Sequence, residues 1–225
     1  MKRYLITVLF LLPVLLFSQQ TAGEFFKNIS SNYAEIEGYT AHFKFTSGIR
    51  SNIIQEGTIS YMAPNLLRLD YDSPKDQVLC VNGTKMSLYV PTLGTLYEQT
   101  INTEEGVLET SGFTSQGLSL FYTNYSISYL NGPELEELDE DNPEEVYKLR
   151  LIRRKASEPF RRIVMSITAE GYIRRLESLK NNDEVLILDI VGLDSTVRLS
   201  KNLFDYDSPP TASTIPDFLF TPEDE

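Results

Sequence analysis

From Gln55 to Tyr71 the chain alternates apolar and polar side chains on either side of a Pro64-Asn65 turn. Ile59, Tyr61, Leu67, Leu69 and Tyr71 fall on one face, and the polar side chains between them fall on the other. A period of two is the signature of half-buried strands, so this stretch predicts two antiparallel strands presenting one apolar surface. Few folds accommodate such a surface except a sheet packed against something else.

The same period recurs nearby. Tyr39, Ala41, Phe43 and Phe45 alternate with Thr40, His42, Lys44 and Thr46. Gln77 to Val81 and Thr84 to Val90 flank Asn82-Gly83, a hairpin dipeptide suited to central turn residues with positive φ. Met86, Leu88 and Val90 share a face of the second arm, Pro91 ends it, and a further strand is expected through Leu96 to Ile101.

Before these strands, Phe25, Phe26, Ile29, Tyr33 and Ile36 follow the spacing of an amphipathic helix. Thr21 and Glu24 form a capping-box pair at its start, and Gly38 is expected to stop it. Glu104 to Asn124 breaks the β rhythm and predicts one or two short helices, with apolar stretches around Val107 and from Leu118 to Tyr122. Strands resume at Tyr125 to Leu130, Glu145 to Arg153, Arg161 to Ala169, Gly171 to Lys180 and Glu184 to Leu193. Ile163, Met165 and Ile167 alternate cleanly, whereas the apolar run Val185 to Val191 predicts a strand covered on both faces. Leu203 to Tyr206 reads as a last short strand before a Pro-rich tail ending at Phe218-Leu219-Phe220. Glu134 to Glu145, with eight acidic residues in twelve, reads as a solvated loop; it lacks the central glycine of a calcium loop. So many strands in short antiparallel steps make a sheet that curls and acquires a concave face.

The N-terminus predicts export. Lys2 and Arg3 precede an apolar run from Tyr4 to Phe17, and Ser18-Gln19-Gln20 supplies a polar exit. The fourteen residues of that run fall short of a bilayer span, which takes roughly 20 as a helix. Residues 1–20 therefore read as a signal peptide cleaved near 18–20, and residues 21–225 as one domain. The only cysteine, Cys80, lies far from that point, so no lipid anchor is expected, and Cys80 itself reads as a small buried residue in a strand. The net charge of −12, more negative once Lys2 and Arg3 are gone, argues against nucleic acid and against adsorption to anionic lipid.

The catalytic inventory is thin. His42 is the only histidine and sits on the polar side of its strand. No phosphate loop or dinucleotide fingerprint occurs, and the histidine and cysteine counts exclude the usual zinc sites. A hydrolase using paired carboxylates stays open as a rival, although the chain has no tryptophan to stack on sugars. The basic groups Arg153-Arg154-Lys155, Arg161-Arg162 and Arg174-Arg175 have two readings, solvent-facing sheet residues or a patch for an anionic partner.

Several of these segments, in this order, resemble the periplasmic outer-membrane lipoprotein carrier family, LolA. They are the first helix leading into Tyr39 to Phe45, then Gln55 to Tyr61, Pro64 to Tyr71 with Pro74, Val81 to Tyr89, and Leu203 to Tyr206 before Pro209-Pro210. The resemblance implies a mainly β fold with an α lid: an unclosed antiparallel β-barrel, or half-barrel, whose short helices cover an apolar cavity. It implies a soluble periplasmic carrier and chaperone, not an enzyme, that shuttles acylated lipoproteins from an inner-membrane lipoprotein-releasing transporter to an outer-membrane acceptor. No cofactor and no metal are implied, and the carrier is expected to be a monomer. Phe43, Phe45, Ile59, Tyr61, Leu69, Tyr71, Met86 and Leu88 fit such an apolar wall, and Phe25, Phe26, Ile29, Leu118 and Phe121 fit the lid. Relatives commonly carry an arginine just before the proline of the Pro-Asn segment and use it to hold the lid closed; here that position is Ala63. Two readings of the apolar face stand side by side, a cavity and a packed core. Within the same fold, a carrier of another lipid or an envelope-stress sensor is the alternative function.

Overall fold

A computed structural model of the chain describes residues 20–48, 53–101 and 115–218. The proposed signal segment up to residue 19 and the apolar stretch around Val107 lie outside the described residues.

The chain opens with helix α1 (Ala22–Ala34). Thr21 accepts from the Glu24 N–H while the Glu24 carboxylate accepts from the Thr21 N–H, so two amides at the exposed helix start are satisfied reciprocally. The helix ends at Glu35, before Gly38, which already belongs to the first strand. Six strands follow: β1 (Gly38–Ser47), β2 (Ile53–Met62), β3 (Leu66–Ser73), β4 (Val78–Asn82), β5 (Lys85–Val90) and β6 (Thr95–Thr100). Helix α2 (Ser115–Asn124) leads directly into β7 (Tyr125–Tyr129), β8 (Glu136–Asp139), β9 (Asn142–Arg153), β10 (Phe160–Thr168), β11 (Ile173–Lys180) and β12 (Val185–Asp194). Near the end lies β13 (Ser213–Pro216).

These strands form a single 13-stranded sheet in the order β13-β6-β5-β4-β3-β2-β1-β12-β11-β10-β9-β7, with β8 beside β9. The two blocks are joined by β1 and β12, paired antiparallel from Ser47–Leu186 to Thr40–Asp194. The ends of the sheet do not meet, so the architecture is the open half-barrel that the alternating pattern and the resemblance implied.

Register places the apolar residues in rows on one face. One row runs Ala41–Ile59–Leu69–Leu79–Leu88, and the next runs Tyr39–Tyr61–Leu67–Val81–Met86. Between Phe43 and Tyr71 stands Gly57, and the two rings meet edge to face at 5.1 Å. A Cβ on Gly57 would lie 2.0 Å from the Asp70 carbonyl oxygen, so only glycine fits this crossing.

Several local expectations need correction. The acidic run is not a free loop: Glu136 to Asp139 pairs with the start of β9 as a hairpin. Leu203 to Tyr206 is not a strand: Leu203 and Phe204 close a 3-10 turn over Lys201–Phe204, and Asp205 and Tyr206 continue without regular structure. That turn packs on the convex face against Val78 and Cys80. At Asn82-Gly83 only Gly83 has positive φ; Asn82 Oδ1 instead accepts from the N–H groups of Thr84 and Lys85 and turns the chain through its side chain. The Val185 to Val191 run is not covered on both faces: Ile190 is buried, while Val191 is 50 % exposed. The tail adds a strand that the sequence reading missed, β13, lying parallel to β6 in an otherwise antiparallel sheet.

Candidate functional site

Both helices are apolar toward the sheet, and the two meet each other and β7. Phe26, Ile29 and Leu118 are buried, and Phe25 and Phe121 pack against the same cluster, so all five lid residues named from sequence come together. Of the wall residues, Phe43, Ile59 and Tyr61 are buried in that cluster, and Leu69, Tyr71 and Met86 pack on it. Phe45 and Leu88 are half-buried and stand outside it. Wall and lid therefore form one continuous apolar cluster.

The middle of the face is closed in this structure, while Leu69, Tyr71 and Met86 stay half-buried. Phe26, Ile59 and Leu118 are 0 % exposed, which leaves no space for a water molecule against them. Aromatic rings carry much of the contact: Phe25 lies 4.9 Å from Tyr147, Tyr39 5.3 Å from Tyr61, and Phe121 5.7 Å from Tyr125. Against the β10–β11 turn, Ile29 of α1 rests on Gly171, where φ is +89° and a Cβ would sit 3.2 Å from the Ile29 Cδ1. On the solvent side α1 and α2 enclose a groove of about 360 Å³ whose lining includes Ser30, Ala34, Ser119 and Tyr122.

The cluster also contains residues that sequence reasoning left out of the site. Leu149, Leu151, Ile163, Met165, Ile167 and Ile173 supply the second block's half of the wall, and Tyr33 adds to the α1 side. The alternation of Ile163, Met165 and Ile167 was the available signal; the pairing of β12 with β1, which puts both blocks on one concave face, was not.

Water is stripped from this face, and the phenols register it. Burial pushes the Tyr33, Tyr39 and Tyr61 hydroxyls above their ordinary range, and the Tyr125 hydroxyl up to about 12. The polar groups that do enter are satisfied: Tyr61 donates to the Pro64 carbonyl at 3.2 Å, and the Tyr33 hydroxyl oxygen accepts from the Ile173 N–H at 2.9 Å. His42 lies on the exposed side of β1 beside Thr58. Among the described residues no group of three or more histidine, cysteine or acidic side chains is placed to hold a metal ion. Such a surface offers shape and dryness rather than directional chemistry.

The basic residues are engaged elsewhere. Arg174 bridges Glu144 at 2.7 Å and Asp189 at 2.8 Å, and Arg175 bridges the same Asp189 at 2.7 Å and Asp139 at 2.6 Å. Arg161 pairs with Asp183, and Arg162 stands 3.8 Å from Glu177. Arg68, on the convex face, forks onto Asp70 and donates to the Leu203 carbonyl at 2.9 Å, which fastens the C-terminal segment rather than a helix. Ala63 has no side chain to reach the lid; its N–H donates to the Glu37 carbonyl at 2.9 Å.

Comparison with known proteins agrees with this geometry. The family described as outer membrane lipoprotein carrier protein LolA matches residues 34–207. Among curated proteins nothing matches the chain. A crystal structure of an uncharacterised conserved protein from Thermus thermophilus is similar with a TM-score of 0.55 at 11 % identity, covering 85 % of this chain and 96 % of that one. The complex of MucA and MucB from Pseudomonas aeruginosa is similar with a TM-score of 0.52 at 7 % identity, covering 86 % of this chain and 63 % of its counterpart. A LolA superfamily protein from Nitrosomonas europaea aligns with a TM-score of 0.42 at 11 % identity, covering 83 % and 98 %. At such identities the first two likenesses speak for the fold alone.

Proposed function

This chain belongs to the outer membrane lipoprotein carrier family, LolA, and on that premise we propose that it binds the acyl chains of lipoproteins between the concave sheet face and the two helices, and carries them across the periplasm. The observation that carries the proposal is the single apolar cluster built by the sheet on one side and by α1 and α2 on the other. Neither helix belongs to the strand ladders, so both can lift without breaking the sheet.

The physical need is plain. Each methylene moved out of water is worth roughly 0.8 kcal/mol, so a lipoprotein with several long chains does not cross an aqueous space unshielded. In the closed form the aromatic and aliphatic side chains of wall and lid cover one another; in the loaded form acyl chains take the place of part of that contact. Phe43, Phe45, Ile59, Tyr61, Leu69, Tyr71, Met86 and Leu88 are the proposed wall, and Phe25, Phe26, Ile29, Leu118 and Phe121 the proposed lid. Periplasmic residence after cleavage near residues 18–20, loading by an inner-membrane transporter and unloading to an outer-membrane acceptor complete the reading. No described helix is long and apolar enough to cross a membrane.

The test is to express the full chain with its N-terminal segment in a bacterium with two membranes, recover it from the periplasm and identify bound lipid or lipoprotein by mass spectrometry. Recovery of acylated lipoprotein supports the carrier. Recovery of a free lipid points to a carrier of another lipid, and recovery of a non-acylated protein partner to a sensor. Absence of any apolar cargo, with no displacement of a fluorescent alkyl dye, would overturn acyl-chain binding.

A further inference from the structure

The ladder between β11 and β12 runs only from Leu179–Val185 to Arg175–Asp189. Beyond that point the strands part. β11 stays on β10 as far as Ile173–Ile167, while β12 follows β1 as far as Asp194–Thr40. Both lips are irregular there: the β10–β11 register shifts between Ser166 and Ile167, and the β1–β12 register shifts between Thr40 and His42, beside Gly192 at φ +65°. The parting leaves a fissure of about 270 Å³ in the sheet, lined by Tyr172, Ile173, Ile190 and Leu193 and rimmed by Glu144, Glu170 and Arg174.

This fissure reaches from the surface to the core. Val191 on its outer side is 50 % exposed, whereas Ile173 and Ile190 are 1 % and 5 % exposed and belong to the same cluster as Phe43, Ile59 and Phe26. A strand that leaves its neighbour must satisfy its amides in another way. The Ile173 N–H, which the β11–β12 ladder does not reach, donates to the Tyr33 hydroxyl of α1 at 2.9 Å. Tyr172 meets the Tyr33 ring edge to face at 6.4 Å, and its hydroxyl lies 3.4 Å from Ser195 Oγ. The lid helix thus touches one lip of the fissure directly.

The lining selects an occupant. Its floor is aliphatic and aromatic, and its one cation, Arg174, is already held by Glu144 and Asp189. Glu170 stays ionised, because the Thr168 hydroxyl and its own backbone N–H hold its carboxyl below the ordinary range. With the Arg174 guanidinium compensated by Glu144 and Asp189, Glu170 leaves the rim net negative, which disfavours an anionic head. We propose that the fissure between β11 and β12 is a binding site for an alkyl chain whose head is neutral or cationic, such as an ester- or amide-linked acyl group rather than a free fatty acid, with Ile173 and Ile190 as the floor that separates it from the rest of the apolar cluster. This inference rests on the carrier reading above.

The experiment uses the full-length chain and two photoreactive compounds, a long-chain alcohol with a diazirine at mid-chain and the fatty acid matching it, with the labelled residues mapped by mass spectrometry. The alcohol is expected to label Tyr172, Ile173 or the 190–193 segment, several-fold more than the fatty acid at low ionic strength. Leu193→Trp, which fills the fissure, is expected to abolish that labelling while labelling of Phe43 and Tyr71 persists. Saturable labelling confined to the wall and lid, unchanged by Leu193→Trp, would overturn the fissure site and leave the carrier reading intact. Equal labelling by both compounds would overturn the head-group selectivity. Absence of saturable labelling anywhere on the chain would overturn the fissure and the carrier reading together.

Discussion

At Ile173 a backbone N–H leaves its sheet and is taken up by a hydroxyl 140 positions away, on Tyr33. A phenylalanine would fill the same space and leave that amide buried without an acceptor, which costs about 1–3 kcal/mol. Tyr33→Phe is therefore expected to lower stability by that amount in urea denaturation, and to speed uptake of a fluorescent alkyl dye by freeing α1 from β11. Slower uptake would show that the hydroxyl does not restrain the helix. Gly57 makes the complementary point. A glycine within an otherwise alternating strand signals close approach, and the Asp70 carbonyl 2.0 Å from its missing Cβ is that approach. Such a signal is visible in sequence because it concerns the strand itself. Tyr33 carries no comparable mark: at its helical spacing it reads as one more apolar contact, and its hydroxyl acquires a role only when β11 arrives.

Among the elements, the acidic hairpin β8–β9 departs most from expectation. Eight carboxylates in twelve residues favour solvent when considered alone. Their partners lie on strands far along the chain: Arg175 reaches Asp139, Arg174 reaches Glu144, and both converge on Asp189 of β12. The side chains of Arg174 and Asp189 are only 10 % and 16 % exposed, so solvent screens this pairing little. Asp189→Ala removes the acceptor shared by the two guanidiniums, although each keeps a second carboxylate. The expected loss is about 1.5–3 kcal/mol of unfolding free energy, read by urea titration; a change near zero would mean that Glu144 and Asp139 compensate in full. The same substitution leaves Arg174 at the rim of the fissure with one partner fewer, so discrimination against the fatty acid should fall with it.

Across the whole molecule, the segment after β12 returns over the convex face and ends as β13 on the far edge of the sheet. Phe204, 1 % exposed, seals Val78 and Cys80 beneath it, and the Cys80 thiol donates to the Phe204 carbonyl at 3.1 Å. Burial pushes that thiol up to about 11. Phe204→Ala is expected to cost about 3–5 kcal/mol and to make Cys80 react with a disulfide reagent in the folded protein, which the native chain should resist. A thiol equally slow in the variant would show that the segment is held without its phenylalanine. The buried tyrosines set a second global property. Their neutral form is favoured in the folded chain, so their contribution is complete below the ordinary phenol pKa of about 10. Above it the unfolded chain releases protons that the folded one keeps, and stability falls. The melting temperature should therefore decline as pH rises past that value and continue to decline through the Tyr125 range near 12; a flat profile would contradict the burial of Tyr33, Tyr39 and Tyr61.

The division between what could be read early and what could not follows the distance between partners. Alternation along β1 to β3, the Thr21–Glu24 cap and the apolar stripe of α1 are local, because strand and helix periods are properties of neighbouring residues. That Ile59 and Tyr61 share a strand face, and that Phe26 and Leu118 are apolar helix residues bound for the same cluster, was legible for the same reason. The joining of the two blocks through β1 and β12, the C-terminal segment over Cys80, the arginines gathered on Asp189 and the parting of β11 from β12 were decided only by tertiary structure. Each depends on groups brought together from distant parts of the chain, and a hydrogen bond or ion pair between such groups leaves no period in the sequence to announce it.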